Sequence, residues 1–168
     1  MIELVATITV ASIIAVTVIP ATARIARARQ DAAPAELARL LEHARALALA
    51  TGTPHGVTLD SAADTAAIVL STGSTVEPAN DALGQPEAPT SLSIEFGADL
   101  TKITISPPPL APSGLDTATQ WFAHNATPQI RGADGSFGAN LTSDSTFQFA
   151  TGSTVTVRAI SGLVEVSP

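Results

Sequence analysis

Packing alone does not explain the position of Glu3. It lies in the opening stretch "MIELVATITVASIIAVTVIP", where it is the one charged residue. A carboxylate inside or between apolar helices is costly unless a cation compensates it, so the chemistry to expect of Glu3 is an ion pair. The segment contains no cation. The partner must come from another copy of the chain or from a free α-amino group, which predicts many such helices packed side by side.

Other residues with reactive side chains form no recognisable catalytic or metal-binding pattern. His43, His55 and His124 are expected on a helix, in a turn and in a loop, without the paired spacing of a zinc site. We interpret them as exposed or structural. Asp134 in "GADGS" and Asp144 in "TSDS" lack the alternating oxygen ligands of a calcium loop and are expected in turns. The sequence therefore predicts no enzyme activity, no cofactor and no metal site.

Two short motifs point to the inside and the surface of the folded part. Trp121 and Phe122 form an aromatic pair, for which a place in the core is the favoured interpretation and a contact between subunits the alternative. The triplets that begin at Asn125 and Asn140 fit the N-glycosylation acceptor, a motif that often occurs by chance.

Composition fits one domain preceded by one special segment. The 168 residues suffice for a single compact core even without the apolar opening. Cysteine is absent, which excludes disulfides and thiolate metal sites. Five of the eight basic residues lie between residues 24 and 45, whereas beyond residue 46 eleven acidic and three basic residues give a net charge of −8. An acidic domain without a basic stripe argues against binding to nucleic acid.

Helical patterns occupy the first third of the chain. Leu4 to Ala21 is uncharged and long enough for a membrane-spanning helix. From Ala21 to about Ala50 an amphipathic helix is predicted, because apolar residues recur every three or four positions. Pro34 interrupts this pattern and is expected in the first turn of a restarted helix that Asp31 caps. The residues of the predicted apolar face are Ile25, Leu37, Leu40, Leu41, Ala44, Leu47 and Ala48.

Three interpretations of the apolar opening remain. A cleavable secretory signal agrees with the small residues at 21–23, but such signals begin with basic residues and this stretch does not. A plain membrane anchor would leave Glu3 among the lipid headgroups. Side-by-side packing of many helices is the interpretation that gives Glu3 a partner.

The remainder of the chain predicts a β structure. The glycine and proline of "TGTPHG" end the helix at residues 51–56, and short alternating segments follow. We therefore expect an α+β fold, with a long N-terminal helix packed on a small antiparallel β-sheet domain. Its parts are an apolar half-helix (1–22), an amphipathic half-helix (23–51) and a β domain (52–168). Strands are predicted at 56–60, 66–71, 91–96, 100–106, 145–150, 153–160 and 162–167, with loops at 106–114 and 130–144.

The stretch "IELVATITVASIIAVTVIPA" resembles the N-terminal helix of type IV pilins and type II secretion pseudopilins. Glu3 and Pro20 have the spacing of that family's glutamate and proline. The resemblance implies that Glu3 neutralises the terminal amine of a neighbouring subunit and that Pro20 marks a bend in the helix. It also implies an assembly machinery and a prepilin peptidase that removes a basic leader, with the processed end at Met1 or two residues before it.

A second resemblance lies near the C-terminus. The stretch "GSFGANLTSDSTFQFATGSTVTVRAISGLVEV" is similar to the final hairpins of the pseudopilin H and FimT-like group. Some FimT-like pilins bind DNA through basic residues just after their final glycine. Here Gly162 precedes Leu163, Val164 and Glu165, so we expect no DNA uptake by that route.

The function expected from the sequence is structural. The chain would be a subunit of a pilus-like or pseudopilus filament made of copies of itself, held in the inner membrane before assembly and in an extracellular or periplasmic filament afterwards. The alternatives are a minor tip pseudopilin of a type II secretion system and a membrane-anchored β-domain binding module. Arg24, Arg27 and Arg29 would lie in the cytoplasm by the positive-inside rule, the reverse of pilin topology, unless a basic leader restores the balance.

Overall fold

A computed structural model of the chain describes the backbone of residues 2–81, 83–105 and 117–168, and the side chains of these ranges from Thr22 onward. The predicted loop at 106–114 lies outside the described residues. The helices are α1 (Ile2–Thr51) and α2 (Leu92–Phe96). The strands are β1 (His55–Asp60), β2 (Thr65–Ser71), β3 (Val76–Pro78), β4 (Thr90–Ser91), β5 (Leu100–Thr104), β6 (Thr117–Phe122), β7 (Pro128–Arg131), β8 (Phe137–Asn140), β9 (Ser145–Phe149), β10 (Thr154–Val157) and β11 (Val164–Ser167).

Helix α1 is continuous for 50 residues, or about 75 Å at a rise of 1.5 Å per residue. The predicted interruption at Pro34 is therefore wrong, and Asp31 lies inside the helix and not at a cap. Proline has no N–H to offer the carbonyl four residues earlier, which costs about 3 kcal/mol in a helix interior. Pro34 is fully buried next to Ala33, so packing against the domain holds the helix together at this point.

The described strands form two antiparallel sheets. The larger has the strand order β3-β2-β1-β6-β7-β8, and β4 also pairs with β2. The smaller has the order β11-β10-β9-β5. Helix α1 packs against β1, β2 and β6 of the larger sheet and against β10 and β11 of the smaller one. One helix thus joins both sheets.

Alternation along the strands gives each sheet one apolar face. In β1 the side chain of Leu59 is fully buried, whereas Thr58 points to the opposite face and its hydroxyl lies 2.9 Å from that of Thr119. In β9 the side chains of Phe147 and Phe149 are buried, and Gln148 between them is exposed. These buried faces and α1 contribute to a single hydrophobic cluster. The predicted α+β fold, with its long N-terminal helix on antiparallel sheet, is confirmed.

Six predicted strands are present, and one is a helix. The strands predicted at 56–60, 66–71, 100–106, 145–150, 153–160 and 162–167 correspond to β1, β2, β5, β9, β10 and β11. The strand predicted at 91–96 is wrong, because Leu92–Phe96 forms α2. Ser91 caps this helix by accepting a hydrogen bond from the N–H of Ile94, and Gly97 ends it in the left-handed conformation. The two caps outweigh the β-like alternation of "SLSIEF".

The loop predicted at 130–144 is also wrong, because it contains the end of β7 and all of β8. Both strands have four residues and include proline or glycine, so they carry little alternation of their own. These strands form because they pair with a neighbouring strand, since Gln129 of β7 lies opposite Trp121 of β6. Between them Gly135, with a φ of 81°, closes the tight turn.

We expect Leu41→Ala to lower the free energy of unfolding by about 2–5 kcal/mol, because Leu41 is fully buried in the hydrophobic cluster to which both sheets contribute. Leu49→Ala is the matched control, since Leu49 lies on the same helix with 55% of its surface exposed. It should cost less than about 1 kcal/mol. Urea unfolding followed by the fluorescence of Trp121 measures both, and equal losses would contradict the described docking of α1.

Candidate functional site

Helix α1 has a docked part and a projecting part. In the docked part, buried residues recur at helical spacing along one stripe. In the part that we call the projecting segment, residues 22–29, every residue is exposed. Eight residues make more than two helical turns, so no side of the projecting segment is covered by the domain. The buried stripe consists of Ala33, Leu37, Leu40, Leu41, Ala44 and Ala48.

Ile25 does not belong to the buried stripe, although its spacing predicted that it would. Its side chain is 57% exposed, because it lies in the projecting segment. Periodicity identifies the apolar face of a helix, but it does not show where the surface that covers this face ends. Here the covering surface ends next to Gln30.

The helix leaves the domain at a hydrogen bond between Gln30 and Gly97, the residue that caps the C-terminal end of α2. The Gln30 side-chain amide donates to the carbonyl of Gly97 at 2.9 Å. Asp31, which follows Gln30, and Glu95 and Asp99, two residues on either side of Gly97, are all exposed. We call these three the exit carboxylates. Carboxylates thus lie where α1 leaves the domain, and arginines lie immediately beyond.

Polar side chains of α1 hold the last hairpin of the smaller sheet. One carboxylate oxygen of Glu42 accepts the N–H of Val164 at 3.3 Å, and the other accepts from Arg45 at 3.2 Å. The guanidinium of Arg45 also donates to the carbonyl of Ser161 at 3.2 Å. The Val164 N–H belongs to β11, an edge strand of the smaller sheet. Glu42 therefore occupies an edge position that would otherwise be open to another strand.

Gly162 sits where the hairpin, the helix and the larger sheet meet. Its φ of 66° is left-handed, a conformation that favours glycine. A methyl group at this position would lie 2.7 Å from the carbonyl oxygen of Ala126, in the turn between β6 and β7, and 3.3 Å from Nε of Arg45. Both the backbone angle and the lack of space explain the glycine.

We expect Gly162→Ala to destabilise the fold more than Gly97→Ala. Both glycines have a φ of 66°, but a methyl group at Gly97 would meet nothing within 4 Å. Gly97→Ala should cost only the left-handed strain of about 1–2 kcal/mol, whereas Gly162→Ala should cost about 1–3 kcal/mol more through overpacking. Urea unfolding of the two variants measures the difference, and equal costs would mean that the close approach to Ala126 is not stabilising.

Glu3 and Pro20 lie within the range of α1, but their side chains are outside the described part of the structure. The ion pair of Glu3 and the bend at Pro20 stay predictions. Over residues 22–81, 83–105 and 117–168, no helix has the length and apolar character needed to cross a membrane.

Trp121 and Phe122 are both buried, on opposite faces of the larger sheet. Phe122 is part of the hydrophobic cluster, with no exposed surface. Trp121 lies against Gly56, where an added methyl group would come within 2.9 Å of the indole ring. The guanidinium of Arg131 lies 6.0 Å from its ring centre, in cation–π range. The position of Phe122 agrees with a place in the core, whereas Trp121 is buried on the other face of the sheet, outside the hydrophobic cluster. A contact between subunits stays a prediction.

The two candidate glycosylation sites are at the surface. Asn125 is exposed in the turn between β6 and β7, where its side-chain oxygen accepts the N–H of Thr127 at 3.1 Å. Asn140 is exposed at the end of β8. Their glycosylation stays a prediction.

The three histidines lie in different parts of the fold, in α1, in β1 and in the turn after β6. His43 and His124 are exposed. His55 is buried, and it begins β1, so its predicted place in a turn is wrong. Pairing with Leu70 and Phe122 on both sides extends the strand to this residue. Within residues 22–81, 83–105 and 117–168, no three acidic or histidine side chains are grouped as metal ligands would be.

Asp134 accepts hydrogen bonds within its own turn, whereas Asp144 accepts them from the segment between β10 and β11. Asp134 accepts from the N–H and the hydroxyl of Ser136, and these bonds lower its pKa. Asp144 accepts the N–H of Ala159 at 2.9 Å and pairs with Arg158 at 2.7 Å, and these contacts lower the pKa of Asp144. Arg158 also pairs with Glu165 of β11. Asp144 thus ties the start of β9 to the β10–β11 hairpin.

We expect Asp144 to make the smaller sheet sensitive to acid. Its folded pKa is below the unfolded value of about 3.9, so its contribution is fully present above that value and is lost as the pH falls through the folded pKa. The loss of unfolding free energy between pH 7 and pH 2.5 should therefore be smaller in Asp144→Asn than in the wild type. Urea unfolding at the two pH values measures it, and identical losses would show that Asp144 contributes nothing.

Sequence reasoning missed the residues that connect α1 to the hairpin. Glu42 and Arg45 appear in the sequence as polar residues of an amphipathic helix, and their spacing signals only an ion pair along the helix. Nothing in the sequence indicates that Glu42 binds the N–H of Val164, 122 positions later. For Gly162 the signal was its place in a hairpin turn, but its contact with Ala126 joins two sheets that the sequence does not connect.

Comparison with known proteins shows a shared fold. No protein-family model and no curated protein matches the sequence. The structure is similar to that of the minor pseudopilin EpsH from the type 2 secretion system of Vibrio cholerae, with a TM-score of 0.53 and 12% identity, over 83% of this chain and 96% of EpsH. It is also similar to the type IV minor pilin FimU of Pseudomonas aeruginosa, with a TM-score of 0.50 and 15% identity, over 84% of this chain and 90% of FimU.

Proposed function

We propose that this chain is a structural subunit of a type IV pilus-like or pseudopilus filament, and that it assembles through helix α1. The observation that carries the proposal is the division of α1 into docked and projecting parts. The helix extends about 75 Å, far more than the domain covers, and all of residues 22–29 are exposed. A helix that extends beyond its own domain is available to pack with the same helix in other copies.

The sequence before the projecting segment supports this use of the helix. Leu4 to Ala21 contains no charged residue, and Glu3 is the single carboxylate before it. Bundled copies of such a segment would bury apolar surface, and Glu3 would set their axial register, since only one offset pairs it with a terminal amine. Contacts of this kind join different surfaces of each copy and do not close on themselves, so they produce a helical filament.

The fold supports the same proposal at a coarser level. EpsH and FimU belong to secretion and pilus systems, which lie in the bacterial cell envelope. By this proposal the chain resides in the inner membrane before assembly and in a periplasmic or extracellular filament afterwards. A prepilin peptidase and an assembly machinery would process and extrude it. Its role is structural and not catalytic.

A minor subunit is the second candidate. It is favoured by one observation, that both similar structures are of minor subunits, a minor pseudopilin and a minor pilin. A minor subunit would use the same helix contacts, but it would cap or initiate a small complex and not form the length of a filament. Quantitative mass spectrometry of purified filaments separates the two, because a minor subunit would be present in a few copies per filament.

We expect Glu3→Ala to abolish incorporation into filaments while leaving insertion into the membrane intact, because the apolar segment is unchanged and only the ion pair is lost. Electron microscopy of sheared surface filaments and immunoblotting of membrane fractions measure the two effects. Glu77→Ala, an exposed carboxylate of β3, is the control and should assemble normally. Normal assembly of Glu3→Ala would contradict the proposed role of Glu3 and leave the helix as a plain tether.

A further inference from the structure

The projecting segment carries a concentration of positive charge that the fold does not use. Arg24, Arg27 and Arg29 lie within six residues, all three are exposed, and no acidic residue occurs between residues 22 and 30. We call them the arginine collar. Among the described residues, the salt bridges involve Arg39, Arg45 and Arg158 and none of the collar. Intramolecular stability therefore does not explain these arginines.

The surface with complementary charge belongs to the same chain. The β domain, residues 52–168, has a net charge of −8. The exit carboxylates are exposed, and they lie at the level where α1 leaves the domain. Along α1, the collar lies immediately before Gln30, the residue at which the helix leaves the domain. Asp31 lies four residues after Arg27 on the same helix, but among the described residues no salt bridge joins the two. Glu95 and Asp99 belong to the domain, towards which a single copy cannot bend α1 back. The partner of the collar that we consider is therefore the acidic surface of a second copy.

The axial offset between copies brings the two surfaces together. This step rests on the proposed function, in which Glu3 pairs with the terminal amine of a neighbour. By the resemblance, the processed end is at Met1 or two residues before it, so the amine would lie two to four residues before Glu3 and adjacent parallel helices would be offset by roughly 3–6 Å. The copy that provides the amine is displaced towards its own C-terminus. Its collar, at residues 24–29, then lies at the level of residues 26–33 of its neighbour, where Asp31 and Gln30 are found.

We propose that the arginine collar of one subunit pairs with the exit carboxylates Asp31, Glu95 and Asp99 of the adjacent subunit. This contact provides an ionic clamp between domains directly above the apolar helix bundle. It also gives a role to the three arginines that follow the apolar segment. In pilin topology they lie outside the cytoplasm, where the positive-inside rule would not place them. Phospholipid headgroups are the competing partner, but they would leave the exposed negative charge at the exit unexplained.

The test is a charge swap in the full-length chain. The collar variant R24E/R27E/R29E and the exit variant D31K/D99K should each reduce the yield of sheared filaments about tenfold or more, because each places like charges opposite one another. Combining the two should restore most of the yield. Glu95 is left in place because it accepts the N–H of Ser91 at the start of α2. Lys102→Glu, at an exposed position of β5, is the matched control and should assemble normally.

Each outcome decides the question. Rescue by the combined variant supports the clamp. Loss of filaments without rescue overturns it, and if the collar variant is also depleted from the membrane fraction, lipid headgroups are the partner. Normal filaments from the collar variant, when Glu3→Ala makes none, overturn the clamp and leave the proposed function standing. Absence of the wild-type chain from filaments overturns both. Urea unfolding followed by Trp121 fluorescence should give the same midpoint for all variants, because the altered side chains are exposed.

Discussion

Burial of the apolar stripe of α1 is the interaction on which the rest of the structure depends. Each sheet has one apolar face, which must be buried against another element. The chain has no cysteine, so packing has to supply the stability. Full burial of a leucine contributes about 1.5–3 kcal/mol, and the stripe contains three of them, Leu37, Leu40 and Leu41. The same stripe holds α1 continuous through Pro34.

Because the helix is shared by two sheets, its polar residues acquire roles that a simple amphipathic helix would not give them. Glu42 satisfies a backbone donor at the edge of the smaller sheet, and Arg45 reaches the turn before that strand. Gly162 lets this turn approach the larger sheet. The junction of helix, hairpin and turn is therefore as specific as the core, although it is built from hydrogen bonds between side chains and backbone groups.

The sequence predicted those parts of the fold that carry their own periodicity. The helix, β1, β2 and the final three strands have clear helical or alternating patterns, and they were identified correctly. Leu92–Phe96 was mistaken for a strand, because capping by Ser91 and Gly97 decides the conformation of so short a segment. Strands β7 and β8 were missed, because their pairing depends on β6 and not on their own residues. Of the candidate site, the sequence indicated Glu3, but it did not show where the domain stops covering α1, on which the position of the collar depends.

Docking along a helix has a mechanical consequence. If the proposed filament is placed under tension, force would enter each subunit along the axis of α1. The stripe from Ala33 to Ala48 lies parallel to that force, so its contacts with both sheets are loaded together in shear. The short hairpins, which would open one hydrogen bond at a time if pulled apart, lie outside the path of the load. The subunit would then resist stretching through close packing alone, without any covalent cross-link.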